Sequence, residues 1–155
     1  MQPGYPDAMN ATHSRSSPLI GWRMLALVYD LFPVFGLWFL VAAIFVAVHR
    51  DAVLGGGLGL LEFVSMWLVT GAYAVISWRR GGHTLGMRPW RLRVTAADGG
   101  SAPVAGLARR YAIGSVSLLL GGAGFWWAWV DRDRLTWHDR LSNTRMLRDR
   151  KSPAH

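Results

Sequence analysis

The sequence has no cysteine among its 155 residues, which excludes disulfides, thiolate nucleophiles and Cys-based metal sites. The same absence leaves the redox compartment open. Charge is scarce as well: 17% of residues are charged against 52% hydrophobic, with nine Trp, a balance that fits a small membrane protein of one domain better than a soluble basic one. Phosphate-binding machinery is missing. The Gly-rich stretch Gly81-Gly82-His83-Thr84-Leu85-Gly86 lacks both the Lys-Ser/Thr ending of a P-loop and the strand context of a dinucleotide fold. His138-Asp139 could be taken for a metal or acid/base pair, but adjacent side chains seldom point together and no second His or carboxylate stands at helical spacing. The chain therefore reads as a non-enzyme with no metal and no cofactor.

Against these absences stands one long apolar run, Leu19 to Val48, uncharged from Leu31 onward. About 18 to 20 such residues cross a hydrocarbon core as a helix. A second run, Leu58 to Trp78, is also long enough and stops at Arg79-Arg80. The Gly-rich turn between them, His49 to Gly57, makes the pair an antiparallel hairpin. Residues 1–18 cannot build a core and read as a mobile tail, with residues 149–155 as a second tail. The membrane domain spans 19–148, with helices at about 19–48, 58–78 and 111–130. The first apolar run is too long and starts too late for a cleaved signal peptide.

The net charge of +8 could suggest nucleic acid. The basic residues lie in particular loops between apolar runs, however, so orientation against an anionic leaflet explains them better and no nucleic-acid partner is expected. Residues 79–110 hold seven Arg against the single Asp98, which places this loop and the N-terminus in the cytoplasm of a multi-pass cell (inner) membrane protein. Arg79, Arg80, Arg109 and Arg110 are the expected contacts with anionic lipid. Within the loop, Trp90 to Ala96 alternates apolar and basic residues and is followed by Asp98-Gly99-Gly100, the pattern of a small surface hairpin. Thr144 to Leu147 could add a third strand.

The third apolar region, Tyr111 to Val130, has Gly121, Gly122 and Gly124 at its middle and Trp126, Trp127 and Trp129 at its end. A plain crossing would put the basic C-terminal segment, six Arg and one Lys against four Asp, opposite the basic loop. A helix that breaks at the glycines and returns keeps both basic segments on one side and is the favoured reading. An ordinary third crossing is the alternative. The fold class is thus an all-α membrane protein of two transmembrane helices and a third, Gly-broken helical region, with a small cytoplasmic β-hairpin or three-strand sheet.

Three acids stand out. Asp30 lies inside the first helix, where a carboxylate costs roughly 2.5–3.5 kcal/mol at the centre and so needs a partner or a proton. Arg23 shares its face but sits two turns away, about 10 Å along the axis, too far to pair with it. If the third region returns, Asp139 comes back to the cytoplasmic end of the first helix and meets Arg23. Glu62 lies about one turn inside the second helix at the far end, either an interfacial group or a second station toward Asp30.

Taken together, Arg23, Asp30, the Gly-His-Thr-Leu-Gly segment leading into Arg-Leu-Arg-Val with its Asp-Gly turn, the Arg109-Arg110 pair and the closing Leu-Thr-Trp-His-Asp-Arg-Leu-Ser-Asn-Thr resemble the RDD family of bacterial membrane proteins. The resemblance runs from about Gly21 to Leu147. It departs at His83, where the family carries Gln, and at Asn143. It assigns the family's Arg and two Asp to Arg23, Asp30 and Asp139, with Glu62, Arg110 and His138 as secondary candidates. It implies transport of a small cation or other ligand, and the part-buried Asp30 with Arg23 at the mouth suits exchange of a proton, since desolvation raises a carboxyl pKa while a nearby guanidinium lowers it. Because two and a half helices enclose little volume, such a path requires a homo-oligomer. The other reading is a structural or partner-binding membrane module held by an Arg/Asp network.

Overall fold

A computed structural model describes residues 19–52, 55–131 and 135–148, except the side chains of 125, 128 and 129. Both tails expected from the sequence lie outside these residues. Helix α1, Ile20–His49, continues through Pro33 and ends where Arg50 turns left-handed and donates its N–H to the Val46 carbonyl. Helix α2, Gly56–Gly81, closes at Gly82, whose positive φ of 73° lets its N–H reach the Trp78 carbonyl without the steric cost a Cβ would bring. The two run antiparallel. Trp38 Nε1 donates to Thr70 Oγ1 at 2.9 Å and, nearer the other end, Tyr73 OH donates to Asp30 at 2.9 Å.

The apolar surface of this hairpin is turned outward. Phe32 and Phe39 on α1 are 77% and 76% exposed, and Leu60 and Phe63 on α2 are exposed as well. A core helix of a soluble domain would hide such side chains, whereas helices meant for lipid leave them uncovered. Both helices are long and apolar enough to cross a membrane.

The packed core lies at one end, in a cap formed by the start of α1 and the residues that follow α2. Ala26 at the start of α1 meets Met87, Leu92, Val94, Ala102 and Leu107 there, all buried. Strand β1, Leu92–Ala96, buries Leu92 and Val94 and exposes Arg93, the alternation expected of a half-buried strand. The local hairpin expected from the sequence does not form, whereas the segment expected as an added strand, Thr144 to Leu147, does pair with β1. The Asp98-Gly99-Gly100 turn is present, with Gly99 N–H on the Ala96 carbonyl and Ala96 N–H on the Gly100 carbonyl, but Pro103 follows at once as the N-cap of the next helix. A proline has no N–H to offer a ladder. The pairing strand is β2, Thr144–Arg148, antiparallel with Ala96 opposite Thr144 and Leu92 opposite Arg148. Among the described residues the sheet is two-stranded and long-range, not a local hairpin.

The third apolar region is divided. Helix α3, Val104–Leu119, starts seven residues before the expected boundary at 111 and contains Arg109-Arg110. The chain then turns at Gly121 and Gly122, with φ of 67° and 80°, and α4 occupies Ala123–Val130. The turn is tight: the Gly124 N–H donates to Ser117 Oγ at 3.0 Å, and a Cβ on Gly124 would strike that Ser117 side chain. Eight residues of helix extend about 12 Å, well short of a crossing. A six-residue helix, α5, Trp137–Ser142, ends at left-handed Asn143 and leads into β2.

Candidate functional site

Asp139 is the centre of the cap. Its backbone position follows from Thr136, the N-cap of α5, whose hydroxyl accepts from the Asp139 N–H while the Asp139 carboxylate accepts from the Thr136 N–H. This reciprocal box satisfies donors at a helix start. It also fixes the carboxylate. Arg23 from α1 donates to Asp139 Oδ2 at 2.6 Å and to Thr136 Oγ1 at 3.0 Å. Arg110 from α3 donates to Asp139 Oδ1 and, at 2.8 Å, to Thr144 Oγ1. All five side chains are buried.

Three consequences follow. The expected Arg23–Asp139 pair forms, but as part of an Arg–Asp–Arg triad that carries a net positive charge. Burial alone would raise the Asp139 carboxyl, yet Arg110 and then Arg23 overcome it and hold the group well below the usual carboxylate range, because two adjacent cations favour the ionised form. Arg110 is also not a lipid contact. It is buried, with its guanidinium 5.6 Å from the Trp78 ring, since the α3 turn that carries it faces α5 across Gly106, where a Cβ would meet the Ser142 carbonyl at 3.1 Å. Arg79, Arg80 and Arg109 remain exposed.

His138 packs beside the triad in the cap. Burial first, then repulsion from Arg110 and Arg23, push its imidazole down to about 3, with Asp139 opposing. It is neutral at physiological pH. Among the described residues no group of three or more His, Asp or Glu could hold a metal ion.

Asp30 forms a second site on the same helix, and the Gly-His-Thr-Leu-Gly segment exists to meet it. Tyr73 OH donates to Asp30 Oδ1 at 2.9 Å, Thr84 Oγ1 donates to Oδ2 at 2.5 Å, and the Gly86 N–H donates to Oδ1 at 2.8 Å. The Leu85 N–H in turn donates to Tyr73 OH at 3.1 Å. Gly86 is required by contact: a Cβ there would overlap the Ala26 carbonyl, the Asp30 backbone N and the Asp30 carboxylate. The loop thus lies directly on α1. Neither Thr84 nor Gly86 is apparent as a partner in the sequence, and Tyr73 reads there as ordinary packing. The box that fixes Asp139 does have a sequence signal, the capping-box spacing of Thr136-x-x-Asp139.

The two aspartates differ in what balances their charge. Asp139 has two guanidinium partners, while Asp30, half-buried, has hydroxyls and one peptide N–H; among the described residues no cation is in ion-pair contact with it. Glu62 joins neither site. It stands on α2 eleven residues before Tyr73, about 16 Å along the helix.

An outward-facing apolar hairpin closed at one end by a polar cap supports a membrane protein. The chain matches the family model described as RDD family over residues 17–143, most of its length, and it belongs to the RDD family. Comparison with curated proteins and with solved structures returns no match.

Proposed function

We propose that this chain is a multi-pass protein of the bacterial cell membrane that acts as a homo-oligomer and passes a small cation in exchange for a proton, with Asp30 as the working carboxylate. One observation carries this reading: among the described residues, Asp139 is balanced by two guanidinium groups, while the donors to Asp30 are all neutral. A carboxylate on a membrane helix marks an ion or proton pathway more often than a packing site. The hydroxyls of Tyr73 and Thr84 can rotate to present oxygen lone pairs to such a cation. A two-helix hairpin with three shorter helices beside it has little volume to enclose, so in this reading neighbouring copies complete the path.

The test is flux. Wild-type protein in liposomes moves a monovalent cation under a proton gradient, and Asp30→Asn abolishes this while the melting profile shows a folded protein. Wild-type protein that moves no cation sinks the reading.

A second reading rests on the triad. Arg23, Arg110 and Asp139 join α1, α3 and α5, and a buried network of this kind serves a non-enzymatic membrane module whose basic face receives a partner protein. That reading keeps Asp30 as a docking point for the 83–86 loop and predicts no flux from any variant.

A further inference from the structure

The cap carries two adjoining clefts that neither aspartate uses. The first, about 430 Å³, is lined by Gly81, His83, Arg88, Arg91, Leu92 and Arg93. The second, about 240 Å³, lies under the end of α2 and includes Arg79, Arg80, Gly82, Arg93 and the Gly99-Gly100-Ser101 turn. Arg93 lines both, and among the described residues five arginines and a histidine surround the pair without one acidic side chain in either wall. The nearest acid in sequence, Asp98, spends its Oδ1 on the Gly100 N–H at 2.9 Å. The carboxyl end of α2 adds a partial negative charge, which is small beside five guanidinium groups.

The architecture holds these charges together. Arg79 donates across the second cleft to Ser101 Oγ at 2.6 Å. Arg93 is the one outward residue between buried Leu92 and Val94 on β1. Arg91 occupies the left-handed region with φ 55°, a strained conformation for a side-chain-bearing residue, and this turn carries the chain from Arg88 into β1 with its guanidinium at the first cleft. Like charges so gathered repel one another, and an anion relieves that.

We propose that these clefts form a binding site for the phosphate headgroup of an anionic membrane lipid. Position selects the lipid over a soluble anion. Gly81, the last residue of α2, lines both clefts, and aromatic residues that favour the membrane–water boundary belong to the same region: Trp78 lines the second cleft, and Trp90, between Arg88 and Arg91 in the chain, packs on Trp22 with centroids 5.0 Å apart. Leu85, in the adjoining loop, is half exposed and apolar, suited to an acyl chain. Guanidinium forks match phosphate oxygens in pairs. The site rests on its own residues and stands whether or not Asp30 moves cations.

The experiment titrates full-length protein in neutral detergent with short-chain phosphatidylglycerol, short-chain phosphatidylcholine and inorganic phosphate, reading intrinsic Trp fluorescence. Phosphatidylglycerol binds saturably and phosphatidylcholine about tenfold more weakly, a difference of about 1.4 kcal/mol. Arg88→Gln/Arg93→Gln loses about tenfold in affinity, while the charge-matched Arg109→Gln/Arg145→Gln pair, at exposed positions outside both clefts, stays within about twofold. Arg88→Lys/Arg93→Lys, which keeps the charge and the fold but not the fork, falls between them. Equal losses from the two Gln pairs would show a diffuse surface potential and overturn the site. Inorganic phosphate saturating the same signal as tightly as the lipid overturns the assignment to a headgroup.

Discussion

Arg23 and Asp139 stand 116 residues apart and meet at 2.6 Å, so that the start of the first helix and the last helix of the described chain close on one another. The contact is buried on both sides. It matters which member of the triad is removed. Asp139→Ala leaves two guanidinium groups facing each other in a dry site and should cost about 3–5 kcal/mol, the range for breaking a buried pair from one side. Arg23→Ala leaves Asp139 with Arg110 and should cost less. The double variant is then less destabilised than the sum of the two, by about 0.5–3 kcal/mol. Thermal melts in detergent measure this, and additive losses would argue that the two residues do not share a contact.

The loop that covers Asp30 gives a second test. Gly86→Ala inserts a methyl group where the Ala26 carbonyl and the Asp30 carboxylate already stand, and overpacking of this kind costs about 1–3 kcal/mol. Thr84→Ala and Tyr73→Phe each remove one donor to the Asp30 carboxyl, about 0.5–1.5 kcal/mol apiece. Limited proteolysis within residues 83–91 should speed up in all three variants. Unchanged cleavage in Gly86→Ala would mean that the loop does not lie on α1.

How far the sequence shows this arrangement depends on range. The hairpin is legible because lipid-facing composition repeats along whole helices, and the glycine break in the third region is legible because Gly121 and Gly122 take φ values that other residues avoid. The Arg23–Asp139 contact is legible only through the argument that both basic segments share a side. The partner of β1 is legible in part: Thr144 to Leu147 reads as an added strand and does pair with β1, but the turn signal at Asp98-Gly99-Gly100 also points to a local partner that Pro103, leading into α3, excludes. The donors to Asp30 are not legible, since Tyr73, Thr84 and Gly86 come from three positions that no periodicity links.

Stability should fall with acid in a window set by His138. Its imidazole is held to about 3 in the folded chain against 6.5 when exposed. The unfolded state therefore binds a proton that the folded state refuses, and the stability this contributes is complete above about pH 6.5 and lost as pH falls toward 3. Asp139, depressed below its ordinary range, adds a loss of the same sign that begins only below about pH 4. The expected slope between pH 6 and 4 is about 1.4 kcal/mol per pH unit. His138→Gln should flatten that interval and leave the more acidic loss in place. A slope unchanged by the substitution would place the titration elsewhere.

Sidedness decides whether the cap faces one compartment, and the absence of native cysteine lets single introduced thiols report it without background. Asp51, beyond the end of α1, and Ser101, in the cap, are both exposed and lie at opposite ends of the hairpin. A membrane-impermeant maleimide added to intact cells should label Asp51→Cys and spare Ser101→Cys, with the order reversed in inverted vesicles; equal labelling of both from one side would reject a crossing by α1 and α2. Ser152→Cys, outside the described residues, then separates the two readings of the third region. A chain that turns back at Gly121-Gly122 returns its carboxyl end to the side of Ser101, and α4, at eight residues, is too short to carry it across. Shared labelling of Ser152→Cys and Ser101→Cys is therefore the expected outcome, and it is also the arrangement that lets Asp139 reach Arg23. Labelling of Ser152→Cys from the Asp51 side would reject the broken hairpin in favour of an ordinary third crossing by residues 111–130.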